Sequence, residues 1–304
     1  MSRYQTPLRY PGGKQRLSPF IAELIAENDL VGGHYAEPYA GGAGIAIELL
    51  LGQIVSHVHL NDSSRHIYAF WHSLIMHSEE LCERIRSASL TIDEWKKQRE
   101  ILRHPEQHNE LDLGYSTLYL NRCNRSGILT GGVIGGLDQN GAWKMDARFS
   151  RNEIIRRIEN IAARGDAISV SNCDAEDFMT NYVRRLPERT LVYCDPPYFS
   201  LSSRLYLNQY QAEDHARVAR IIQERLHRKW VVSYDSVPEI LTYYRDRRSF
   251  SYDLQYNASK VYKGREVFVF SDDTVIPGKS SLPNINTAIN KGLPAQSINQ
   301  LQIF

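Results

Sequence analysis

The chain has 304 residues, of which 42% are hydrophobic, and its formal net charge is +1 at pH 7. This length and apolar content predict one large or two modest globular domains with a sizeable core. The near-neutral charge excludes a globally basic protein, so any face that binds nucleic acid has to be local. There is no run of about 18 apolar residues and no signal-peptide core, which predicts a soluble cytoplasmic protein.

The four cysteines are typical of a reducing compartment. Cys82, Cys123, Cys173 and Cys194 are scattered along the chain and have no pairwise spacing of metal ligands. Cys173 and Cys194 each lie at or just after an apolar run, so we expect both in the core.

A glycine-containing loop with a lysine comes first, at residues 8–14 (LRYPGGK). Pro-Gly-Gly interrupts regular structure and lets the backbone approach another group closely. Apolar spacing then predicts an amphipathic helix over residues 18–27. Two interpretations of Lys14 stay open: an ordinary loop before a helix, or a cation beside an anionic or carboxylate-bearing ligand.

Residues 35–44 (YAEPYAGGAG) predict a strand and a glycine turn, followed by an apolar helix over 45–51. A second strand, 57–60, ends just before Asp62, about 20 residues past the turn, where Rossmann-type sites place an acid on ribose hydroxyls. The loop lacks the third glycine of the dinucleotide-binding fingerprint G-x-G-x-x-G, and Glu37 precedes its glycines. An adenosyl ligand without a pyrophosphate therefore fits this loop better than NAD.

From about residue 63 to 165 the alternation of strands and helices stops, and helical patterns, charge and loops replace it. Residues 121–127 (NRCNRSG) are polar and basic, and glycine pairs follow at 131–136. Asn140-Gly141 before Trp143 predicts a type I′ hairpin. These features favour contact with nucleic-acid phosphates and a groove, and filling of the gap left by an extruded base. An ordinary helical subdomain with a mobile loop is the alternative.

The alternation resumes after a helix predicted at 152–163. We predict strands over 167–172, from 191 to Asp195, over 229–234 and over 266–270, with helices opening at 176 and spanning 212–228. Lys260, Lys263 and Arg265 are predicted in the loop before the last strand, and residues 200–210 are predicted to form a substrate-side loop.

The run at residues 191–198 (LVYCDPPY) is the centre of the prediction. Strand character stops at Pro196, which leaves Asp195 and Tyr198 at the carboxyl end of a buried strand, where open α/β sheets bind ligands. The Asp195 carboxylate and the Pro196 carbonyl would accept hydrogen bonds from the two N–H groups of an exocyclic amine on a nucleic-acid base. Tyr198 would stack on that base. The alternative is a strand and a proline turn, with Asp195 as a helix cap.

Four blocks, at 8–14, 36–44, 61–62 and 195–198, resemble in this order the Dam-like, D12-class DNA adenine-N6 methyltransferases in their α-type motif arrangement. The resemblance covers about residues 6–65 and 115–275. It implies an α/β, Rossmann-like S-adenosylmethionine-dependent methyltransferase fold. A discontinuous catalytic domain (1–65 and 166–277) would flank an inserted, mainly helical target-recognition domain (66–165), and a loosely ordered tail would occupy 278–304.

The resemblance also implies roles for individual residues. Asp195, Pro196, Pro197 and Tyr198 would hold a flipped adenine. The S-adenosylmethionine site would be lined by Tyr10, Lys14, Glu37, Gly41, Asp62, Asp195 and, beside the cofactor adenine, Asp174, with Asp177 as its rival. DNA would be contacted by Tyr119, Asn121, Arg122, Arg125, Trp143 and Lys144. No metal is expected.

The departure from the family lies at residues 123–129, which lack the Phe-Asn-Gly-Leu and Arg-Tyr-Asn pattern of the GATC-methylating members. The target sequence is therefore not predicted. The expected reaction is methylation of adenine N6 in duplex DNA, with cytosine N4 methylation or a catalytically decayed DNA-binding module as alternatives. A nicotinamide oxidoreductase is more distant. Double-stranded DNA is the expected partner, and a restriction endonuclease acting on the same site is compatible with this activity but not required for it.

Overall fold

The computed structural model describes residues 5–9, 14–200, 210–257 and 261–278. Some sequence predictions fall outside these ranges. They concern Tyr10 and the adjoining Pro-Gly-Gly, residues 201–209 of the predicted substrate-side loop, Lys260, and nearly all of the tail predicted from residue 278 onward.

A seven-stranded sheet in the order β3-β2-β1-β4-β5-β7-β6 forms the centre of the molecule. Its strands are β1 His34–Glu37, β2 His57–Asn61, β3 Ile168–Ser171, β4 Thr190–Cys194, β5 Lys229–Asp235, β6 Ser249–Asn257 and β7 Val261–Phe270. The first five pair in parallel, whereas β7 runs antiparallel to both β5 and β6. The strand order reverses between β1 and β4, where such sheets form their ligand crevice.

The central strand is apolar because helices cover both faces of the sheet. Every residue of β4 is buried, as expected for a strand of a parallel sheet that is covered on both sides. One face is packed with α1 (Ser18–Glu27) and α2 (Gly44–Leu51), whose bounds agree with the predicted helices. The helices Ala212–Arg225 and Pro238–Tyr243 pack on the other face.

Five α-helices lie between β2 and β3: α3 Arg65–Met76, α4 Ser78–Arg86, α5 Ile92–Arg103, α6 Glu110–Cys123 and α7 Arg151–Ala162. We call residues 65–162 the insert. Its apolar residues form one continuous core with the α1 and α2 side of the sheet, since Trp71 and Leu118 belong to the same cluster as Leu24 and Tyr35. The insert therefore packs onto the sheet through a shared core. The domain boundaries drawn at 65/66 and 165/166 stay a prediction.

Two local predictions were wrong, and one strand was missed. No hairpin forms around Asn140-Gly141: residues 129–144 make turns and bends, with a single bridge between Asn124 and Val133. Strand β6 was not predicted, although Ser249–Asn257 alternates polar and apolar residues. The last strand begins at Val261, so Lys263 and Arg265 lie within it and not in the loop before it.

Within the described ranges, no helix combines the length and apolarity needed to cross a lipid bilayer.

Candidate active site

The acidic residues of the sequence motifs meet at one edge of the sheet. Glu37 ends β1, Asp62 follows β2, Asp195 follows β4 and Asp235 ends β5. Because these strands are parallel, their carboxyl ends lie at the same edge. The antiparallel β7 brings Glu266 opposite Asp235 at this edge.

The glycine loop after β1 is tied to the end of β2. Gly41 has a φ of +47°, a conformation that glycine adopts with little strain. Its N–H donates to Asp62 Oδ2 at 2.9 Å, and its carbonyl accepts the indole N–H of Trp71 at 2.9 Å. Burial raises the pKa of Asp62 to about 6, against the opposing effect of the N–H groups of Ser64 and Gly41. The predicted ribose-binding acid thus also shapes the glycine loop.

Glu37 is a buried carboxyl group below this loop. It accepts a hydrogen bond from the hydroxyl of Tyr35 at 3.1 Å. Burial raises the pKa of Glu37 to about 8, more than offsetting the hydrogen bonds from Tyr35 and the Ala46 backbone that lower it. The site accordingly holds an acid that resists ionisation unless a positive charge comes close.

Asp195 stands at the carboxyl end of β4, half-buried, with its side chain held from two directions. Ser233 Oγ on β5 donates to Asp195 Oδ1 at 2.8 Å. Lys14 Nζ lies 3.6 Å from the same oxygen. Burial is the main cause that raises the pKa of Asp195 to about 6, and Lys14 opposes it. At neutral pH the carboxylate is therefore mostly ionised and able to accept hydrogen bonds.

Tyr198 and Lys14, 184 positions apart in sequence, are in contact. The Lys14 ammonium group donates to the Tyr198 hydroxyl and lies 4.7 Å from the centre of its ring. The Tyr198 hydroxyl in turn donates to Glu266, and Lys14 Nζ lies 2.6 Å from Glu266 Oε2. Between Asp195 and Tyr198, Pro196 is buried and Pro197 is half-buried. Pro196 and Pro197 thus join Asp195 to the Tyr198 ring, whose hydroxyl is bonded to Lys14 and Glu266.

Two residues of this edge were missed as site residues. Glu266, 1% exposed, has no motif around it and reaches Lys14 only through the pairing of β5 with β7. Asp235 directly follows the strand predicted over 229–234 and was given no role in the site. Its carboxylate accepts from the N–H of Phe199 at 3.0 Å and from the N–H and hydroxyl of Ser200 at 2.9 and 2.6 Å. It fixes the chain directly after the Pro-Pro-Tyr motif.

Asp174 and Asp177 follow β3, beside the strand that carries Asp62. Asp174 is exposed, and its Oδ1 accepts from the N–H of Glu176 at 2.8 Å, as a helix N-cap does. Asp177 is also exposed and accepts from Asn181 Nδ2 at 2.6 Å. Both interpretations of the acid beside the cofactor adenine stay open.

Three of the predicted DNA-binding residues lie on the surface of the insert. Arg125 and Lys144 are exposed, and Trp143 is 73% exposed. The other three tryptophans, Trp71, Trp95 and Trp230, are buried. An exposed tryptophan next to Lys144 on a segment without regular structure is consistent with nucleic-acid contact.

The other three predicted DNA-binding residues, Tyr119, Asn121 and Arg122, are buried. The Tyr119 hydroxyl donates to the carbonyl of Ser89 at 2.8 Å. Arg122 donates to the carbonyl of Pro7, and burial, with Arg157 and Arg9 nearby, lowers its pKa to about 9. In this structure these side chains are buried and bonded to backbone, and their predicted contact with DNA stays a prediction.

Asn121, 2% exposed, binds the N-terminal segment 5–9, which we call the strap. Its Oδ1 accepts from the Arg9 N–H at 2.7 Å, and its Nδ2 donates to the Arg9 carbonyl at 2.8 Å and to the Gly127 carbonyl at 2.9 Å. A Cβ at Gly127 would lie 2.2 Å from the Arg9 oxygen, so only glycine fits there. The strap is thereby fixed to the turn that presents Arg125.

The other end of the strap is bonded to both parts of the molecule. Thr6 Oγ1 donates to the carbonyl of Gly42 at 2.5 Å, in the glycine loop. The Thr6 carbonyl accepts from Arg157 Nη1 on α7 at 2.8 Å. The strap therefore connects the insert with the loop that faces Asp62.

Within the described residues, no group of three or more His, Cys, Asp or Glu side chains is arranged to hold a metal ion.

The sheet order and the groups at its carboxyl edge define a Rossmann-like methyltransferase. The sequence profile described as D12 class N6 adenine-specific DNA methyltransferase matches residues 10–258. The chain belongs to this family, and its reaction is methylation of adenine N6 in DNA. The predictions of family, fold and reaction are confirmed.

Two further comparisons give less information. The comparison with curated protein sequences found no match. Among solved structures, the rRNA methyltransferase AviRa from Streptomyces viridochromogenes is similar at 16% sequence identity and a TM-score of 0.39, over 87% of each chain.

Proposed function

We propose that S-adenosylmethionine is the methyl donor and that the adenine is rotated out of duplex DNA to lie beside Asp195 and Tyr198. In a duplex the N6 amine is paired and stacked, so a half-buried side chain such as Asp195 reaches it only after the base is extruded. The observation that carries the proposal is the meeting of Lys14, Asp195 and Tyr198 at the edge that also holds the Gly41–Asp62 loop.

The residues present fit S-adenosylmethionine. Asp62 supplies an acceptor for ribose hydroxyls, and Gly41 allows close approach of the backbone. Glu37, Asp62 and Asp195 are acids whose pKa burial raises, so this edge favours a ligand with positive charge. When bound, the cofactor supplies a methyl group on a sulfonium sulfur, whose carbon the amino nitrogen attacks as the carbon–sulfur bond breaks.

Asp195 is the residue that orients the amine and receives its charge. An aromatic amine is a weak nucleophile because its lone pair is delocalised into the ring. When its N–H group donates a hydrogen bond to the Asp195 carboxylate, electron density on the nitrogen increases. After transfer the nitrogen is positive and loses a proton to Asp195 or to solvent. Ser233 holds the carboxylate in place at 2.8 Å, so that little reorganisation accompanies the reaction.

Tyr198 provides the surface on which the extruded base is held. Its hydroxyl is fixed between Lys14 and Glu266, which leaves the ring in one orientation. Pro196 and Pro197 fix the distance between this ring and Asp195, since proline removes most backbone freedom. We assign the second acceptor for the amine to the Pro196 carbonyl.

We further propose that residues 66–165 are the target-recognition domain, with Arg125 and Lys144 on phosphates and Trp143 in the gap left by the base. Their exposure on the insert supports these roles. For Asn121 and Arg122 we propose an indirect role in DNA recognition, since both are bonded to the strap. The partner is double-stranded DNA in the cytoplasm, and a restriction endonuclease that cuts the same sequence is an optional second protein.

The test is methylation of plasmid DNA with isotope-labelled S-adenosylmethionine, followed by digestion to nucleosides and mass spectrometry. We expect labelled N6-methyl-2′-deoxyadenosine from the wild type and none from Asp195→Ala, which should still bind the cofactor measurably. Labelled N4-methyl-2′-deoxycytidine would move the acceptor to cytosine. No labelled nucleoside together with no cofactor binding would indicate a decayed module. Sequencing of the modified DNA would then give the target sequence.

A further inference from the structure

We infer that Glu266 is a positioning residue of the methyl-transfer reaction: it holds the Lys14 ammonium group away from Asp195 and fixes the Tyr198 ring. The inference rests on the proposed function, since it concerns how Asp195 and Tyr198 are prepared for the adenine amine. Glu266 has no role in the sequence motifs, and strand pairing alone brings it to the site.

The first observation is that Lys14 lies near two acids at different distances. Lys14 Nζ lies 2.6 Å from Glu266 Oε2 but 3.6 Å from Asp195 Oδ1. Because Coulomb attraction falls with distance, Glu266 is the nearer counter-ion. Asp195 keeps its hydrogen bond from the neutral Ser233 hydroxyl at 2.8 Å. The negative charge of Asp195 is thus only partly compensated by Lys14. It can therefore stabilise the positive charge that develops on the amine during transfer.

The second observation is how Glu266 fixes the Tyr198 ring. Glu266 Oε1 accepts the hydrogen bond from the Tyr198 hydroxyl. Lys14 donates to the same hydroxyl and lies 4.7 Å from the ring centre. Since all three groups are buried, the ring has little freedom to turn. A base stacked on Tyr198 would therefore have its amine presented to Asp195 in one orientation.

The third observation shows that Glu266 acts through other residues. Its carboxyl oxygens are occupied by Lys14, Tyr198 and the hydroxyl of Tyr252 at 2.5 Å. With 1% of its surface exposed, it has no free face for substrate. The contacts fit a group that sets the position and charge of its neighbours.

A change at Glu266 should appear in the ionisation of Asp195. Several ionisable groups interact with Asp195: Lys14 before α1, Glu266 on β7, Tyr252 on β6, Glu37 and Tyr35 on β1, and Tyr193 and Cys194 on β4. Removing the Glu266 charge takes away one electrostatic repulsion on Asp195. It also leaves Asp195 as the acid that pairs with Lys14. Both changes favour ionised Asp195.

The experiment compares wild type with Glu266→Gln in kcat/KM for S-adenosylmethionine as a function of pH, with DNA in excess. This profile reports the essential acid of the cofactor-free enzyme. We expect the acid limb in Glu266→Gln to move to lower pH by about one unit, and kcat to fall by about tenfold or more. The matched acid-to-amide control is Glu188→Gln, an exposed residue before β4 at the opposite edge, and its profile should equal that of wild type.

Glu266→Asp is measured in the same way and keeps the test decisive if the amide variant does not fold. It retains the charge, so its acid limb should stay close to that of wild type, although kcat falls because the shorter side chain loses Tyr198. An unmoved acid limb in Glu266→Gln, or an acid limb displaced in Glu266→Asp, would overturn the inference. A wild-type enzyme that methylates no DNA would count against the proposed function instead.

Discussion

A hydrogen bond of 2.9 Å joins the Asp62 carboxylate to the backbone N–H of Gly41, 21 positions earlier in the chain. The second carboxylate oxygen accepts the N–H of Ser64 at 2.9 Å. The acid that we assign to the cofactor ribose is thus already oriented by the loop that the cofactor approaches. On this proposed assignment, cofactor binding and loop conformation would be coupled through the Asp62 side chain.

Asp62→Ala should weaken S-adenosylmethionine binding by about tenfold or more, which corresponds to about 1.4 kcal/mol. The variant loses both the ribose acceptor and the bond that orients Gly41. Asp62→Asn keeps an acceptor oxygen and should lose less. Isothermal titration calorimetry measures both, with Asp93→Ala, a fully exposed acid on α5, as the matched control. Equal affinities for wild type and Asp62→Ala would show that the ribose lies elsewhere.

The stability of the cofactor-free protein should fall as pH rises from about 4.5 to about 8 because of Glu37. Burial raises the pKa of this carboxyl from 4.5 to about 8. The folded state therefore binds a proton that the unfolded state has released, and this advantage is lost as pH passes the folded pKa. Glu37→Gln cannot ionise, so its melting temperature should decline less over this interval. Parallel melting curves for the two proteins from pH 5 to 8 would contradict the assignment.

DNA binding should change the fluorescence of Trp143 selectively. It is 73% exposed, whereas Trp71, Trp95 and Trp230 are buried. Stacking on bases should quench its emission, and Trp143→Phe should lose most of this signal while retaining an aromatic ring. With 2-aminopurine at the target position, Trp143→Ala should reduce the fluorescence of the extruded base. A quench of equal size in wild type and Trp143→Phe would place Trp143 away from the DNA.

Asn121→Ala should act on stability and cofactor binding, in contrast to Arg125→Ala. Loss of the three bonds to Arg9 and Gly127 leaves buried backbone groups unpaired, at a cost of about 1–3 kcal/mol in the free energy of unfolding. Urea titration should show this loss, and calorimetry a weaker affinity for S-adenosylmethionine, because the strap leads to Lys14.

Arg125→Ala should leave both of these quantities unchanged and weaken DNA binding, with a salt slope smaller by about 0.9 if Arg125 contacts one phosphate. If Asn121→Ala showed the DNA-binding defect of Arg125→Ala at unchanged stability, direct DNA contact by Asn121 would be supported instead of an indirect role.

The sequence predicted those parts of the fold and site in which a local pattern has one structural solution. The limits of α1 follow from its apolar spacing, and the glycine turn and the Asp-Pro-Pro-Tyr block each mark the carboxyl end of a strand. Strand β6 was missed although Phe250 and Tyr252 belong to an alternating run, so the signal was present. The Asn140-Gly141 turn was overinterpreted, since Gln139 and the preceding glycines adopt positive φ without forming strands on either side.

Other features of the structure that the sequence did not indicate come from contacts between distant parts of the chain. Asn121 and Arg122 are polar and close to Arg125 in sequence, but every residue of α6 from Leu113 to Cys123 is buried, so no exposed face distinguishes them. Glu266 meets Lys14 across 252 positions through antiparallel pairing. No local pattern specifies either contact.

The strap also sets the order in which the protein is completed during synthesis on the ribosome. The Thr6 carbonyl is bonded by Arg157, 151 positions later, so the strap cannot dock fully until α7 has left the exit tunnel. At about 5–20 residues per second this is a delay of roughly 8–30 s. The contact between Lys14 and Glu266, which is 252 positions later in the chain, forms only after that. The nascent chain consequently lacks the Lys14–Glu266 contact of the candidate active site until β7 has been translated.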